Sequence, residues 1–286
     1  MSKLKGKPPE EVKPGHLKAI LFGESGIGKT WLSLMFPTPY YLDAEGGASL
    51  KHYQERLKKS GGAYVGPSDG ASDPKTILEE IRSLSTERHD YKTLVIDSGS
   101  KIYNTLIGRE AERLGDKDAF GASKKPAVAF IRSLINALDK LDMNVFIICH
   151  EKPKWANGEQ AGFEEDMWDK LRYELDLTLR IVRQGNSRYA LVCKSRLTGF
   201  PDGDRFEATY EEITARYGKD YVEAASVPIT LASEDQVIEI TRLLDILKID
   251  PSEIDKWHTK AKSENFNQYK QSDIQKLITH LKSKIS

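Results

Sequence analysis

The sequence lacks the features that mark secreted and membrane proteins. It has only two cysteines in 286 residues, Cys149 and Cys193. Both lie in apolar runs, so we expect both thiols to be buried and reduced in a cytoplasmic protein. No apolar run approaches the roughly 18 residues that a membrane-spanning helix needs, and no membrane contact is expected. Residues 1–15 have lysines and prolines without the apolar stretch of a signal peptide, and they are predicted to form a flexible basic arm.

An excess of charge of one sign is also missing. The chain has 43 basic and 43 acidic residues, which cancel to a formal net charge of zero. This balance argues against a protein that coats nucleic acid through its overall charge, although it is compatible with a local basic loop. The chain is long enough for one full α/β domain with a small appendage.

Short apolar runs alternate with helical patterns through the first half of the chain, and two segments of alternating polarity follow. Each apolar run is predicted to be a buried strand, and the two later segments are predicted to pair as antiparallel strands. This order predicts an α/β fold whose mainly parallel sheet is extended by antiparallel strands. The polar segments 115–125 and 151–170 are predicted to be loops. The predicted strands are 17–22, 40–42, 93–97, 144–149, 175–181 and 188–194.

The composition changes near residue 225. Residues 233–286 are rich in lysine and helical in pattern, and Ser233 to Gln236 resembles the capped start of a helix. We therefore predict a core over residues 16–225 and a small C-terminal domain of about three helices over residues 233–286.

Residues 23–30 fit the phosphate-binding pattern G-x-x-x-x-G-K-[ST], between an apolar strand and a helix. Glycines let the backbone turn its N–H groups onto an anion, and the following helix adds its positive N-terminal end. In this motif Lys29 reaches the β- and γ-phosphates, and the Thr30 hydroxyl binds Mg²⁺. The sequence therefore predicts a site for a nucleoside triphosphate and Mg²⁺. Its residues are Gly23, Glu24, Ser25, Gly26, Ile27, Gly28, Lys29 and Thr30.

Asp97 ends the apolar run 93–97. In P-loop proteins such an aspartate holds Mg²⁺, whereas elsewhere it would cap the next helix. With the P-loop present, we assign Asp97 to the metal together with Thr30. Ser98, rather than a glutamate, follows it, so the catalytic glutamate has to come from another segment. Glu45, at the end of the second apolar run, is the candidate, and a solvated loop acid is the alternative.

Three segments resemble the ATPase core of RecA-type proteins. Tyr41–Glu45 (YLDAE) is similar to the segment that supplies the general base, and Leu94–Ser98 (LVIDS) to the Mg²⁺-binding strand. Val145–His150 resembles the strand whose last polar residue senses the γ-phosphate, with His150 in place of the RecA glutamine. The resemblance implies that Glu45 activates the attacking water and that His150 reports the γ-phosphate. A capping or core histidine is the alternative at His150.

Taken whole, residues 16–205 resemble the phage-encoded RecA-like ATPases linked to single-strand annealing. The resemblance implies a RecA-like core, ATP as the nucleotide and a homo-oligomer, either a ring or a filament. It also implies that Lys194 and Arg196 reach the ATP of a neighbouring subunit, as an arginine finger does. Two surface charges at a strand end are the alternative.

The resemblance further implies that segments 115–125 and 151–170 face single-stranded DNA. Lysines there would pair with phosphates and aromatic rings would stack on unpaired bases, although carboxylates dilute the second segment. Mobile loops without DNA contact are the alternative. The candidate DNA-binding residues are Lys117, Phe120, Lys124, Lys125, Lys152, Lys154 and Trp155.

The sequence therefore predicts a Mg²⁺-dependent ATPase that binds single-stranded DNA and supports phage-type homologous recombination or single-strand annealing in the host cytoplasm. A single-strand DNA-binding protein is a further expected partner. One rival function is an ATP-dependent loader or motor that acts on a replication protein such as a helicase. The other is a nucleotide or small-molecule kinase, which needs an arginine-rich lid, and residues 151–170 contain no arginine.

Overall fold

The structure is a computed structural model, and it describes residues 15–285. All but one residue of the predicted N-terminal arm therefore lie outside the described residues. The strands are β1 (Lys18–Phe22), β2 (Pro39–Asp43), β3 (Ala63–Val65), β4 (Thr93–Asp97), β5 (Asn144–Cys149), β6 (Glu151–Ala156), β7 (Glu159–Glu165), β8 (Leu177–Gln184), β9 (Ser187–Ser195) and β10 (Arg205–Glu207).

Helices connect these strands and close the chain. The helices are α1 (Lys29–Ser33), α2 (Lys51–Ser60), α3 (Pro74–Thr86), α4 (Gly99–Leu114), α5 (Lys124–Leu138), α6 (Leu171–Glu174), α7 (Tyr210–Tyr217), α8 (Lys219–Val222), α9 (Glu234–Leu247), α10 (Pro251–Ala261) and α11 (Gln271–Lys282).

Eight strands form one sheet in the spatial order β10-β9-β8-β1-β5-β4-β2-β3. The strands from β8 to β3 in this order are parallel, whereas β9 and β10 add to the β8 edge in antiparallel pairs. The predicted fold class is confirmed: an α/β core has a mainly parallel sheet extended by antiparallel strands, and a small helical module follows it.

Helices cover both faces of the sheet, so the central strands are buried on both sides. On one face α3, α4 and α5 pack against alternate residues of the strands, with Ile81 and Ile131 fully enclosed. On the other face α1, α2 and α7 pack around Phe146, whose ring lies 4.4 Å from that of Phe36. This two-sided burial explains why the strands read as continuous apolar runs in the sequence.

Segment 151–170 differs from its prediction. Instead of a loop it contains the antiparallel pair β6 and β7, which forms a separate two-stranded hairpin directly after β5. Most residues of both strands are exposed, so the hairpin has no alternation of polar and apolar residues that a sequence pattern could reveal. The prediction for the cysteines was also half wrong, because Cys149 is buried but Cys193 is exposed.

The C-terminal helices α9, α10 and α11 enclose a small apolar cluster of their own, which includes Ile240 and Ile278. Ser233 caps α9 through the predicted reciprocal bonds with Gln236. Polar contacts join this module to the core, among them the bond of 2.7 Å from Lys140 Nζ to Ser263 Oγ. Burial lowers the pKa of Lys140 to about 8. We retain as a proposal the division of the chain at residues 225 and 233. Within residues 15–285, none of the helices has the length and apolar character required to cross a lipid bilayer.

Asn144 connects three parts of the core at the first residue of β5, where it is fully buried. Its Oδ1 accepts from the Leu17 N–H at 3.1 Å, and its Nδ2 donates to the carbonyls of Lys92 at 3.0 Å and Val222 at 2.8 Å. Asn144→Ala removes these three bonds, and each buried polar group that loses its partner costs about 1–3 kcal/mol. We expect urea denaturation to show a fall of about 3 kcal/mol in the free energy of unfolding.

Asn267→Ala is the matched control, because Asn267 is exposed. Its free energy of unfolding should stay within about 0.5 kcal/mol of the wild-type value. Equal stability of the two variants would contradict the role assigned to Asn144.

Candidate active site

The carboxyl ends of β1, β5, β4 and β2 lie side by side, because these four strands are adjacent and parallel. Four of the predicted site segments lie at these strand ends. The P-loop follows β1, and His150 follows β5. Asp97 is the last residue of β4, and Glu45 lies two residues beyond β2. The fold therefore brings the P-loop, Glu45, Asp97 and His150 to one edge of the sheet.

The P-loop forms a tight turn between β1 and α1. Gly23 has a φ of 147°, and a Cβ atom there would lie 2.5 Å from the carbonyl oxygen of Ile181, so only glycine fits at this position. The ammonium of Lys29 donates to the carbonyls of Gly23 and Glu24, both at 2.8 Å. Burial lowers the pKa of Lys29, because the charged form loses hydration. A bound anion would replace the lost hydration and stabilise the charged form of Lys29.

Asp97 is buried beside the P-loop, and Thr30 Oγ1 donates to its Oδ2 at 2.9 Å. The hydroxyl of Tyr41, from β2, donates to the same oxygen. Burial raises the pKa of Asp97 despite these two hydrogen bonds, so its negative charge is poorly compensated. A hydroxyl and a carboxylate next to a phosphate site are hard oxygen ligands of the kind that Mg²⁺ prefers, so Thr30 and Asp97 fit this ion.

Asp43 shapes the turn that presents Glu45. Its carboxylate is fully buried, and it accepts hydrogen bonds from the backbone N–H groups of Glu45 at 3.0 Å, Gly46 at 2.7 Å and Ala48 at 2.8 Å. The Tyr64 hydroxyl donates a fourth bond, at 3.0 Å. The backbone that carries Glu45 is therefore held by a side chain two residues earlier.

The carboxylate of Glu45 points toward the end of β5. Its Oε1 lies 2.7 Å from His150 Nε2, and it accepts a hydrogen bond from the Ser98 hydroxyl. Ser98 is buried, and its Oγ also caps α4 by accepting from the Lys101 N–H at 3.1 Å. The predicted general base and the predicted γ-phosphate sensor are thus in direct contact.

His150 also joins the site to the hairpin of β6 and β7. Its backbone N–H donates to Ser100 Oγ at 2.9 Å, and its carbonyl accepts from the Asp166 N–H at 2.9 Å. The Ser100 hydroxyl donates to the Asp166 carbonyl at 2.7 Å. Because β6 begins at Glu151 and β7 ends at Glu165, both ends of the hairpin are attached beside His150.

The structure places Lys194 and Arg196 far from the P-loop of their own chain. They lie at the end of β9 that pairs with Leu177, which is the amino end of the parallel strands. Lys194 Nζ donates to the carbonyls of Leu175 and Asp176, and Arg196 donates to the carbonyl of Tyr173. They can therefore act on ATP only across a contact between subunits.

The candidate DNA-binding residues fall on two surfaces. Lys117, Lys124, Lys125 and the fully exposed Phe120 lie at the connection of α4 to α5. Lys152, Lys154 and Trp155 lie on β6. Trp155 is 66% exposed, whereas Lys152 lies 3.8–3.9 Å from carboxylates of Glu164, Asp166 and Asp169, which neutralise its charge.

A groove of about 590 Å³ opens beside the P-loop, between α1 and the segment that follows β10. Trp31 from α1 and Tyr53 from α2 line it, with ring centroids 6.2 Å apart, and Tyr210 lines the other side. Because Gly26 and Gly28 also line it, the groove continues directly from the phosphate loop.

Sequence reasoning missed Tyr41, Asp43 and Ser98 as residues that organise the site. Asp43 carried a local signal, because an aspartate two or three residues before glycines is typical of a turn closed by its own carboxylate. Tyr41 and Ser98 carried none, because their partners Asp97 and Glu45 lie 56 and 53 residues away in the chain.

Asp97 should make the stability of the nucleotide-free protein depend on pH. Its pKa is raised in the folded state, so the folded chain holds the proton more tightly than the unfolded chain does. This contribution to stability is present below the unfolded pKa and is lost as pH rises through the folded pKa. We expect Asp97→Asn to lose this decline and to have a higher free energy of unfolding than the wild type at pH 8.

The measurement is urea denaturation between pH 4 and pH 8 without metal or nucleotide. Asp116→Asn, in an exposed loop, is the matched control and should follow the wild-type trend. A wild-type pH trend in Asp97→Asn would contradict the origin assigned to the decline.

Comparison with known proteins agrees with this geometry. The family model that matches is described as an AAA domain, and it covers residues 16–206. Among solved structures, the RadB recombinase is similar over 67% of this chain and 86% of that chain, with 17% sequence identity and a TM-score of 0.43, which is too low to support an argument about function. No curated protein matches the chain. The chain belongs to the AAA domain family and is a P-loop ATPase.

Proposed function

We propose that this protein is a Mg²⁺-dependent ATPase that binds single-stranded DNA and supports homologous recombination or single-strand annealing. The observation that carries the proposal is the contact of Glu45 with His150, which joins the hydrolytic site to the base of an exposed hairpin. His150 thus contacts the proposed general base with its side chain and anchors the hairpin with its backbone. The proposed task is that of the phage-encoded annealing ATPases that the sequence resembles.

The P-loop binds the triphosphate of ATP with its backbone N–H groups, and Lys29 moves from the carbonyls of Gly23 and Glu24 onto the β- and γ-phosphates. Thr30 and Asp97 are the residues that would hold Mg²⁺ against the phosphate oxygens of the nucleotide. When bound, Mg²⁺ neutralises charge that develops on these oxygens. The groove lined by Trp31 and Tyr53 receives the adenosine, because it begins where the loop ends.

Glu45 accepts a proton from the water that attacks the γ-phosphate, and Asp43 holds the backbone of Glu45 in position for that step. His150 is a donor that can bond either Glu45 or a phosphate oxygen. In the structure it contacts Glu45 at 2.7 Å. Arrival of the γ-phosphate offers His150 a second partner and frees Glu45 for water.

The hairpin responds because His150 is continuous with β6 and accepts from Asp166 after β7. Lys154 and Trp155 on the hairpin, and Phe120, Lys124 and Lys125 at the connection of α4 to α5, offer phosphate-pairing and base-stacking groups. Lys117 belongs to the same surface, and Lys152 contributes after its carboxylate partners are displaced.

Assembly into a ring or filament is also proposed. Lys194 and Arg196 lie at the edge of the sheet opposite the P-loop. A head-to-tail contact between subunits would bring them to the ATP of the next subunit. A single-strand DNA-binding protein is the proposed further partner on DNA.

Two variants test the assignment of the chemistry. Lys29→Ala should abolish ATP turnover, since it removes the ammonium that pairs with the β- and γ-phosphates. Glu45→Gln should keep ATP affinity within about threefold while kcat falls by about 10² or more, since the amide cannot accept the proton. A fluorescent-nucleotide titration and a phosphate-release assay measure the two quantities. Glu55→Gln, on the exposed face of α2, is the matched control. Normal hydrolysis by Glu45→Gln would rule out its role as the base.

A second experiment tests the DNA-binding proposal. Single-stranded oligonucleotide should raise the rate of ATP hydrolysis, and its affinity should fall steeply as salt rises, because lysines release counterions from the phosphates. The double variant Lys154→Ala and Trp155→Ala should weaken binding by about tenfold or more. Lys219→Ala, on α8 away from the hairpin, is the control.

The rival function of a loader for a replication protein gives a different result. Absence of oligonucleotide binding at low salt with ATP and Mg²⁺, together with ATP turnover that requires Lys29, would favour the loader. The carboxylates around Lys152 favour this rival, because they neutralise a lysine that DNA binding would use.

A further inference from the structure

The antiparallel strands β8 and β9 form the outer wall of the P-loop. A Cβ atom on Gly23 would meet the Ile181 carbonyl of β8 at 2.5 Å, and one on Gly28 would meet Arg188 Nε at 2.8 Å. Arg188 Nε donates to the Ile27 carbonyl at 2.6 Å. The guanidinium of Arg188 is thus in contact with two successive residues of the phosphate loop.

The backbone of Arg188 is fixed by the sheet. It pairs with Arg183 of β8, and its carbonyl accepts from the Ala208 N–H at 2.9 Å. Strands on both sides therefore determine how far the side chain reaches. The chain separation between Arg188 and Ile27 is 161 residues, so this contact is a product of the fold alone.

The bond to Ile27 sets the direction of one donor in the loop. A trans peptide unit is planar, and its C=O and N–H point in opposite directions. When Arg188 holds the Ile27 carbonyl outward, the N–H of Gly28 in the same unit points to the opposite side, into the concave face that receives a phosphate. Lys29 does not orient the loop in this way. It bonds the carbonyls of Gly23 and Glu24, and in the proposed ATP complex it leaves them for the phosphates.

The positive charge of Arg188 is also available to interact with a ligand. Among the residues that the structure describes, no carboxylate forms an ion pair with Arg188, and Arg183 directly opposite adds a like charge. Arg188 lines the groove that continues from the loop at its Gly28 end, and the carboxylates of Glu207 and Glu211 line the same groove. An anion at this end of the loop would offset the unpaired positive charge.

We propose that Arg188 is a positioning residue of the ATPase, which directs the Gly28 N–H at the bound phosphates and supplies positive charge where the phosphates enter the nucleoside groove. This inference rests on the proposed ATP site. Because the contact is made to the loop and not to the γ-phosphate, Arg188 sets the affinity for ATP and ADP alike. The rate of the chemical step is set by Glu45 and is independent of Arg188.

The test compares Arg188→Met, Arg188→Lys and the matched control Arg183→Met in the full chain. Titration with a fluorescent ATP analogue and with ADP gives Kd, and phosphate release at saturating ATP gives kcat. A hydrogen bond to a charged group is worth about 1.5–3 kcal/mol, so Arg188→Met should raise Kd for both nucleotides by about 10- to 100-fold. Its kcat should stay within about threefold. Arg188→Lys, which keeps a charged donor, should recover part of the affinity, and Arg183→Met should match the wild type.

Two outcomes would overturn the proposal. One is an unchanged Kd in Arg188→Met, whether or not kcat falls, and the other is an equal loss of affinity in Arg183→Met. Thermal unfolding of each variant identifies a purely structural role, which would lower Tm without affecting Kd. Should Arg188→Met not fold, Arg188→Gln takes its place. It keeps a neutral donor for Ile27 but loses the charge, so Kd for ATP and ADP should still rise, although by less than the rise expected for Arg188→Met. Absence of ATP hydrolysis by the wild-type protein would refute the proposed function, whereas the Kd comparison addresses Arg188 alone.

Discussion

Asp43 and Asp97 lie side by side at the ends of two neighbouring parallel strands, and both carboxylates are buried. Buried charge is costly unless hydrogen bonds or opposite charges compensate it. Four donors surround Asp43, so its charge is used to hold the turn that carries Glu45. Asp97 accepts from the hydroxyls of Thr30 and Tyr41, and its raised pKa records the compensation still missing. The same residue type therefore holds the backbone at one strand end and has an incompletely compensated charge at the next.

The direct covalent connection of β5 to β6 gives the molecule its second organising feature. His150 is the single residue between these strands, and its side chain reaches Glu45 while its backbone anchors the hairpin. A displacement of the His150 side chain therefore has a short path to an exposed surface. Arg180 strengthens this path, because it pairs with Glu151 at 2.9 Å and lies 4.2 Å from the centre of the Phe163 ring.

Local sequence patterns account for the parts of this site that depend on neighbours in the chain. The P-loop, the strand before it and the strand-ending Asp97 are all readable, since each needs only a short apolar run and a few residues after it. The hairpin of β6 and β7 was not readable, because solvent surrounds most of it and no apolar face is required. The contacts of Tyr41 with Asp97 and of Arg188 with Ile27 join distant segments, and only the order of strands in the sheet brings them together.

The bonds of Lys29 to the carbonyls of Gly23 and Glu24 affect the free energy with which a triphosphate would bind. In the proposed complex with a triphosphate, each contact of the Lys29 ammonium with phosphate would replace one with the loop. The free energy of binding is therefore a difference between two sets of bonds and is smaller than the number of donors indicates. The loop carbonyls would accept the ammonium again when the phosphates leave, so Lys29 has hydrogen-bond partners with and without the ligand.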